Sequence, residues 1–464
     1  MPKLKHHFFL PEYINVFDLD QIYMTSSMWH DTGMKDTWAT FDLLVRDMPK
    51  NRNFLVFTGL EEMVLGLKHF KFSDEQIRIL LKWKLISKKF AGYLKKIKFN
   101  GDVKAMPEGT LFFPGEIVMR LTAPLIEGNL LTAFLITSLS SNTIFASKFI
   151  RSVIAAKPLN IIGPAPNRAH AFESALKAER SGFITGSMDC PSVIAREKMN
   201  LMHGDNATIA YHAFINSYAT EKEAMETAAK YAKVDLSLMV DTYDYKQGIK
   251  NAIKVAEKLK KQGKKLKIVV DSGDLYKNAV FVRKELDKAG LKEVRITVAS
   301  NLDEFKIKKL MDKKIPANTF IVSTEALTSS DDPRMEAVYK ISEIIKPDGT
   351  VVNKMKLSPG KMSLPGRKQV YRQFKNDKMT SDIIGLEGEK KLGTPLLRPI
   401  FKKGKLLYDL PSVLAIRDYV KSQLEYLPKK YLAIETTYQY PVRVSPRLRR
   451  LITKTKKEIQ AKQL

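Results

Sequence analysis

Carboxylate and hydroxyl side chains follow the ends of four candidate strands, in an order that could assemble one binding site. They are Asp241-Thr242-Tyr243-Asp244 after LSLMV, Asp271 and Asp274 around KIVVDSGD, Ser300 after RITVA, and Ser323-Thr324 after TFIV. A single Asp or Ser after a strand is more often the N-cap of the next helix. Four such strand ends in successive units favour a site in which carboxylates bind magnesium or sugar hydroxyls, while hydroxyls and backbone amides bind phosphate.

These polar ends need strands whose carboxyl ends meet at one edge, and residues 158–345 have the pattern for such strands. Short apolar runs alternate there with amphipathic helical segments. Seven runs are strand candidates: LNIIG, SGFITG, TIAYHAF, LSLMVDTYD, LKIVVDSGD, VRITVAS and TFIVST. Repeated βα units build parallel sheets and barrels that bind ligands at the carboxyl ends of the strands. We therefore predict an irregular, incomplete α/β barrel.

Two further regions are expected around the barrel, because 464 residues exceed the size at which one hydrophobic core keeps growing. Residues 1–126 contain a candidate helix near 20–33 and short strands punctuated by Pro and Gly, which is typical of a mixed α+β domain. Helical periodicity after Glu127 marks the start of the barrel domain, residues 127–345. Residues 346–464 return to short strands and turns and end in a basic tail.

The charge and the cysteine content limit the class of protein. Lys and Arg outnumber Asp and Glu by 78 to 50, a net charge of +28. Most of the lysines are dispersed, which favours a solvated basic surface. Only the tail from Arg443 concentrates positive charge. Nucleic-acid binding through this tail therefore stays open as the weaker alternative. The single cysteine, Cys190, excludes an internal disulfide and any multi-cysteine metal site and fits a reducing compartment.

The longest apolar stretch, LTAFLITSLSSNTIFASKFI, does not have the composition of a membrane span. Hydroxyl residues and Asn142 interrupt it, so we expect a buried helix. The N-terminal residues also contain no apolar core of signal-peptide length before Pro11 and Glu12. The sequence therefore predicts a cytoplasmic protein without a membrane partner.

A series of blocks resembles, in order, the nicotinate phosphoribosyltransferase family of NAD salvage. The blocks are ATFDLLVRDMP with NFLVFTGLEE, AMPEGTLFFPGE, SKFIR, NRAHAFESALKAER, HAFINSYATEKEAME, MVDTYD, VVDSGDL, VASNLDE, and VYKI with KLSPGK and LPGRKQVYR. They cover roughly residues 18–375, with a fainter echo in YPVRVSPRL. The DSGDL block and the KLSPGK to PGRKQVYR segment are the most specific of them.

The resemblance implies an irregular α/β barrel flanked by a mixed domain that both chain ends build, in a homodimer with the active site at the subunit boundary. The implied reaction joins nicotinate to phosphoribosyl pyrophosphate and yields nicotinate mononucleotide and pyrophosphate. It is commonly coupled to ATP hydrolysis through a phosphorylated histidine, so magnesium and ATP are the expected cofactor and co-substrate. Loss of pyrophosphate leaves positive charge on the ribose, so such a site needs cations for the leaving group and carboxylates near the sugar.

The resemblance also assigns the catalytic candidates. His212 is the candidate for the phosphorylated histidine, although a strict alignment of the family's Gly-Thr-x-Ala-His block would place Tyr211 there. A half-buried structural histidine is the alternative for His212. Asp271 and Asp274 of the DSGD block are assigned to catalysis and to magnesium.

The substrate-binding candidates come from the same blocks. Arg168 matches the second of two family arginines expected near phosphate, and Tyr23 is included because Asp20 stands where the family has the tyrosine that stacks on the pyridine ring. The full set is Tyr23, Arg168, Ser272, Gly273, Ser300, Ser323, Thr324 and Lys356.

Several ligand-facing positions depart from the family pattern. Asn167 replaces the first of the two arginines. Val269 stands two residues before Asp271, where the family has an arginine that can pair with the carboxylate of nicotinate; valine cannot make that charge-assisted hydrogen bond. The family's Gly-x-Gly-Thr phosphate turn reads Ile321-Val322-Ser323-Thr324, without the glycines that let backbone amides approach a phosphate.

These departures leave three interpretations open. The chain is a working nicotinate enzyme with compensating residues elsewhere, a nicotinamide-specific phosphoribosyltransferase, or a catalytically impaired member of the family that acts as a binding protein. The order and spacing of the blocks favour nicotinate, whereas Val269 argues against a carboxylate-specific site.

Overall fold

The structure, a computed structural model, describes residues 14–201 and 207–461. The chain divides into two compact units. The first, which we call the two-segment unit, comprises Met1–Ser147 and Asp332–Leu464, and the second, the central unit, comprises Lys148–Asp331.

The N-terminal segment alternates short strands with helices. Its elements are α1 (Asp20–Asp31), β1 (Trp38–Val45), β2 (Leu55–Val56), α2 (Leu60–Lys68), α3 (Asp74–Lys82), α4 (Lys88–Leu94), β3 (Asp102–Ala105), β4 (Leu111–Phe112), β5 (Ile117–Pro124), α5 (Leu125–Asn129) and α6 (Thr132–Ala156). The boundary between the two units falls within α6.

The central unit repeats strands and helices. Its elements after α6 are β6 (Asn160–Ile162), α7 (Phe172–Thr185), α8 (Val193–Met199), β7 (Ala207–Ala210), α9 (His212–Asn216), α10 (Glu221–Tyr231), β8 (Asp235–Met239), α11 (Tyr245–Lys261), β9 (Leu266–Val270), α12 (Leu275–Lys288), β10 (Arg295–Val298), α13 (Glu304–Asp312), β11 (Thr319–Ile321) and α14 (Thr324–Thr328).

The C-terminal segment is rich in strands. Its elements are β12 (Ala337–Ile345), β13 (Val351–Asn353), β14 (Lys368–Lys375), β15 (Lys378–Leu386), β16 (Thr394–Pro395), β17 (Arg398–Lys402), β18 (Lys405–Leu406), α15 (Val413–Tyr426), β19 (Val442–Val444) and α16 (Pro446–Ala461).

Strand β1 lies near the middle of a seven-stranded sheet of order β13-β12-β1-β5-β3-β17-β18, so both ends of the chain build this sheet. It pairs antiparallel with β12 on one side and with β5 on the other. Most of its side chains are buried on both faces, including Asp42. The buried Lys368 pairs with Asp42 at 2.7 Å, which compensates the carboxylate inside the core.

The central unit contains a parallel sheet of order β6-β11-β10-β9-β8-β7. All five neighbouring pairs are parallel. In the described chain β6 and β7 each pair with a single neighbour, so the strands do not close into a ring. The predicted α/β class is confirmed, in the form of an open parallel sheet rather than a closed barrel.

One of the seven predicted strands is a helix. The run SGFITG forms the last turns of α7, and all of its first five residues are buried. A short apolar run has no periodicity that distinguishes a buried strand from a buried helix end, and this is why the pattern misled. The sheet therefore has six strands in the described part of the central unit.

The boundaries of the barrel domain also differ from the predicted 127–345. The part of α6 up to Ser147 belongs to the two-segment unit, and Leu135 and Leu139 pack into that unit's core. The VYKI strand, β12, pairs with β1 rather than with the parallel sheet. The central unit consequently begins at Lys148 and ends at Asp331.

The long apolar stretch is a core helix. The expectation about composition was wrong, because by length and composition alone Leu125–Ala156 could span a membrane, but 67% of the most apolar window is buried inside the protein. The predicted buried helix is confirmed, and this burial is typical of soluble proteins.

Candidate active site

A cavity of about 390 Å³ lies at the carboxyl ends of the parallel strands of the central unit. Ligands of α/β folds bind at this edge of the sheet, and the volume suits a small molecule. The cavity is lined by Ala165, Asn167, Arg168, Ile209, Met239, Val269, Asp271, Ala299, Ser300, Asn301, Ile321, Ser323 and Thr324. Five candidate residues therefore share one cavity: Arg168, Asp271, Ser300, Ser323 and Thr324.

Asp271, which follows β9, has a second carboxylate as its electrostatic neighbour. Burial raises the pKa of Asp271 and the negative charge of Asp241 raises it further, whereas His212 and Arg168 lower it. Asp241 follows β8, which pairs in parallel with β9, so the register of the two strands brings the two acids together. Two acids and two basic groups thus interact at this edge of the sheet, and Asp271 and Arg168 are the two of them that line the cavity.

Ser272 and Tyr245 hold Asp241 in place. The Ser272 hydroxyl donates a 2.6 Å hydrogen bond to Oδ2 of Asp241, and the Tyr245 hydroxyl lies 3.5 Å from the same oxygen. The backbone carbonyl of Ser272 accepts hydrogen bonds from Tyr245 at 3.1 Å and from Asn278 at 2.9 Å. Gly273 has a φ of +68°, a left-handed conformation that glycine adopts without steric cost. Ser272 and Gly273 therefore shape the loop that carries the acids, and their contact with substrate stays a prediction.

The two carboxylates fit a magnesium ion that arrives with a phosphate. Oδ1 of Asp241 is buried without a hydrogen-bond partner, and the charge of Asp241 raises the pKa of Asp271, so a divalent cation would satisfy both groups. No group of three or more His, Cys, Asp or Glu side chains that could hold a metal occurs among the described residues. Magnesium usually binds through one or two carboxylates plus water and substrate phosphates. Asp241 and Asp271 would hold the ion, which would neutralise phosphate charge.

Asp274 has a different place from the one predicted. Its Oδ1 accepts a 3.1 Å hydrogen bond from the backbone amide of Lys277 and so caps α12. Its Oδ2 lies 3.6 Å from the ammonium group of Lys277 on the surface. The carboxylate coupled to Asp271 is Asp241, and the assignment of Asp274 to catalysis and metal binding is corrected accordingly.

His212 is the first residue of α9. Its Nδ1 lies 3.0 Å from the hydroxyl of Thr242, the residue after Asp241. This contact places the imidazole beside the loop that carries Asp241, and the charge of His212 lowers the pKa of Asp271. Tyr211, which strict alignment would place at the histidine position, precedes the helix and is exposed. His212 therefore keeps its place as the candidate for the phosphorylated histidine.

Close packing of two loops positions the phosphate candidates. Gly163, after β6, has a φ of +131°, and a Cβ at this position would overlap the carbonyl oxygen of Val322 after β11. The Ser323 hydroxyl lies 3.3 Å from the carbonyl oxygen of Ala165, so the two loops contact each other directly. Arg168 follows Ala165 in a short 3-10 turn and is thereby brought to the same end of the cavity as Ser323.

The loop after β10 has an unusual backbone. Ser300 and Asn301 have positive φ angles of 86° and 43°, and both line the cavity. A non-glycine residue in this region costs of order 1–3 kcal/mol and persists where surrounding structure enforces it. Such strain is concentrated at binding sites, which supports a ligand contact for this loop.

Tyr23 lies in the core of the two-segment unit. Its side chain is only 2% exposed and belongs to that unit's apolar cluster. Its hydroxyl accepts a hydrogen bond from the backbone amide of Asp18 at 2.9 Å and lies 3.2 Å from the carbonyl oxygen of Asn15. No ring face is free for a pyridine base, so the proposed substitution of Tyr23 for the stacking tyrosine is not supported.

Lys356 also belongs to the two-segment unit, within a cluster of four cations. Burial lowers the pKa of Lys340, and the positive charges of Lys356, Arg46 and Lys361 lower it further. None of the four makes an ion pair with a described acidic side chain, and three of them, Arg46, Lys340 and Lys361, line a second cavity of about 180 Å³. Unpaired cations that repel one another attract a polyanion.

Comparison with known proteins decides the family. Residues 16–140 match the N-terminal domain of nicotinate phosphoribosyltransferase, and residues 392–452 match its C-terminal domain. A nicotinate phosphoribosyltransferase of Mycobacterium tuberculosis is 32% identical over 433 residues, which cover 93% of this chain and 91% of that protein. The chain belongs to the nicotinate phosphoribosyltransferase family.

Two further relatives extend this result. A nicotinate phosphoribosyltransferase of Bacillus subtilis is 32% identical over 459 residues, with 92% of each chain covered. The crystal structure of human nicotinic acid phosphoribosyltransferase superposes with a TM-score of 0.82 and covers 94% of this chain and 99% of the human chain. The identity to the human protein is 22%, so this similarity shows the fold alone.

Two residues at the site of this member of the nicotinate phosphoribosyltransferase family were not among the catalytic and binding residues assigned from the sequence. Asp241 was part of the polar end of β8, and its coupling to Asp271 becomes visible only in the paired strands. Asn301 follows the predicted Ser300, and its left-handed φ brings it to the cavity. The available signal for Asp241 was the shared Asp-x-x-Asp pattern after an apolar run, in which Asp241 corresponds to Asp271 of the next unit.

Proposed function

We propose that the chain transfers the phosphoribosyl group of phosphoribosyl pyrophosphate to nicotinate and releases pyrophosphate, the first step of NAD salvage from this base. The Asp241–Asp271 pair beside Arg168, at the carboxyl edge of the parallel sheet, is the observation that carries the proposal. Membership of the family supports the same activity.

The arrangement can perform this chemistry with residues of the cavity. The bond between the ribose anomeric carbon and pyrophosphate breaks, its electron pair leaves with pyrophosphate, and the pyridine nitrogen supplies the pair for the new bond. Asp271 and Asp241 place negative charge where positive charge develops on the sugar. Arg168, together with Ser323 and Thr324, lines the part of the cavity that suits the ribose phosphate.

The cation cluster of the two-segment unit is proposed to bind the polyphosphate of a substrate or co-substrate. Lys340, Lys356, Lys361 and Arg46 make no ion pair with a described acid, and their mutual repulsion disfavours the empty state. Pyrophosphate and ATP carry enough negative charge to relieve it. Lys356 thereby keeps its proposed role in substrate binding.

We also propose where the chain acts and what it requires. It acts in the cytoplasm as a homodimer, without a membrane partner, and it uses magnesium as cofactor and ATP as coupled co-substrate. Light scattering of the purified protein tests the dimer, which has twice the 52.8 kDa of one chain.

The decisive assay incubates the purified protein with phosphoribosyl pyrophosphate, magnesium and nicotinate, with and without ATP. We expect nicotinate mononucleotide and pyrophosphate in equal amounts, identified by chromatography. A protein that binds phosphoribosyl pyrophosphate but forms no mononucleotide would be the catalytically impaired member of the family, and the proposal would then be wrong.

His212→Asn is expected to remove the stimulation by ATP and to leave the basal rate. Asparagine can keep a hydrogen bond to Thr242 but cannot be phosphorylated on a ring nitrogen. The measurement is the ratio of the initial rates with and without ATP. Tyr211→Phe is the matched control for the alternative alignment and should keep the full ratio. Loss of the ATP response in Tyr211→Phe, or its persistence in His212→Asn, would show that His212 is not the phosphorylated histidine.

A further inference from the structure

The floor of the cavity is apolar across four strands. Met239 ends β8, Val269 lies in β9, Ala299 follows β10 and Ile321 ends β11, and the four side chains form one apolar cluster. The strands are neighbours in the sheet, so the cluster is a continuous surface. Val269 is two residues before Asp271 and therefore on the same face of β9, beneath the charged part of the cavity.

Positive charge is scarce around this floor. Arg168 is the one basic side chain among the described residues that line the cavity. It interacts with Asp271, whose pKa it lowers, and it lies beside the hydroxyls proposed to bind phosphate. Lys267, one pleat further along β9, is buried, does not line the cavity and already has an interaction of its own. Among the described residues that line the cavity, a carboxylate on the floor would therefore have no basic partner other than Arg168.

The charge of the base then determines its fit. A carboxylate that leaves water for an apolar surface loses its hydration without compensation, whereas an uncharged carboxamide loses much less. Asn167 and Asn301 line the same cavity and offer both donors and acceptors, which can pair with the oxygen and the nitrogen of a carboxamide. The floor favours the pyridine ring itself, which is flat and largely apolar.

We propose that this cavity accepts uncharged pyridine bases, so that the protein transfers phosphoribosyl groups to pyridine-3-carboxamide (nicotinamide) as well as to nicotinate. Val269 is the residue that removes the requirement for a carboxylate. The inference rests on the proposed function and names the substrate class of the same site. The bonds that form and break are those of the nicotinate reaction, because the ring nitrogen attacks in both bases.

The test compares kcat/KM for nicotinate and nicotinamide in the wild-type protein, Val269→Arg and Val269→Leu. We expect kcat/KM for nicotinamide to be no more than about 10-fold below that for nicotinate in the wild type, since no dedicated ion pair favours the carboxylate. Val269→Arg should shift the ratio toward nicotinate by 10-fold or more, and Val269→Leu, which changes size but not charge, should leave the ratio within about 2-fold.

A second measurement does not depend on the variants. The uncharged analogue 3-acetylpyridine should inhibit the wild-type reaction competitively with respect to nicotinate, with an inhibition constant within about 10-fold of the KM for nicotinate. Product from nicotinate alone, with neither nicotinamide turnover nor inhibition by 3-acetylpyridine, overturns the inference and leaves the proposed function intact. Product from neither base overturns the proposed function and the inference with it. An unchanged ratio in a folded Val269→Arg protein also contradicts the role of Val269.

Discussion

Asp271→Asn is expected to lower kcat by a factor of about 10²–10³, because a preorganised charge that stabilises the transition state typically contributes this much. Asparagine keeps the size of the side chain and removes the negative charge beside the ribose. The binding of phosphoribosyl pyrophosphate should weaken less than kcat falls, since Asp241 would still hold the magnesium ion and Arg168, Ser323 and Thr324 still line the cavity. The measurement is steady-state kinetics with nicotinate, together with a binding titration of phosphoribosyl pyrophosphate.

Asp274→Asn is the matched control, because it makes the same chemical change three residues later. Asp274 caps α12, and asparagine is also a good N-cap, so activity and stability should both stay near the wild-type values. Equal losses of kcat in the two variants would contradict the assignment of Asp274 as a helix cap, because they would show that its carboxylate also takes part in catalysis.

Arg372→Met is expected to destabilise the protein by about 3–5 kcal/mol, the usual cost of removing one partner of a buried ion pair. Arg372 and Asp382 are 1% and 0% exposed, and the guanidinium donates to the carboxylate at 2.6 Å and 3.0 Å. It also donates to the carbonyl oxygen of Leu111 at 2.8 Å. The measurement is the free energy of unfolding of the wild type and the variant in urea.

Lys454→Met is the control, because it breaks an exposed ion pair with Glu458. It should change the free energy of unfolding by less than about 0.5 kcal/mol.

Glu116, next to this pair, gives the same network a pH dependence. Burial raises the pKa of Glu116 well above its ordinary value of 4.5, and the charge of Asp382 raises it further. Above pH 4.5 the unfolded chain releases this proton while the folded protein retains it, so stability falls as the pH rises toward the folded pKa. Glu116→Gln removes the titration, and the variant should be at least as stable as the wild type at pH 8 and should lose less stability between pH 5 and pH 8. A steeper pH dependence in Glu116→Gln would contradict the buried, protonated state of Glu116.

The sequence was sufficient to find the edge of the sheet at which the site lies. All six strands of the parallel sheet were predicted from the sequence, because short apolar runs that alternate with amphipathic helical segments have a strong local pattern. The SGFITG run could not be assigned from the sequence, since its buried side chains face several neighbours at once and leave no periodicity. Its helical state depends on the packing of α7 and not on local preference.

Asp274 was assigned to catalysis and magnesium because the two aspartates of each strand end look alike in the sequence but have different roles in the structure. Asp244 and Asp274 both cap the following helix, accepting hydrogen bonds from the amides of Gln247 and Lys277 at 2.9 Å and 3.1 Å. Asp241 lies two residues after β8 and Asp271 one residue after β9, and the pairing of Met239 with Val269 brings the two carboxylates together. In this chain an Asp-x-x-Asp strand end therefore contributes its first carboxylate to the site and its second to the helix. Sequence alone does not distinguish the two, because their types are identical.

The seven-stranded sheet has a consequence for biosynthesis. Phe41 of β1 pairs with Ile341 of β12, so the ribosome must add about 300 residues after β1 before this second partner of β1 exists, whereas β5 is made much earlier. At a synthesis rate of about 5–20 residues per second, this delay is roughly 15–60 s. The central unit is a continuous segment that can complete its own parallel sheet during this interval. The edge of β1 that pairs with β12 is still unpaired at this time. Nascent chains that end before residue 337 should therefore bind chaperones through the N-terminal segment rather than through the central unit.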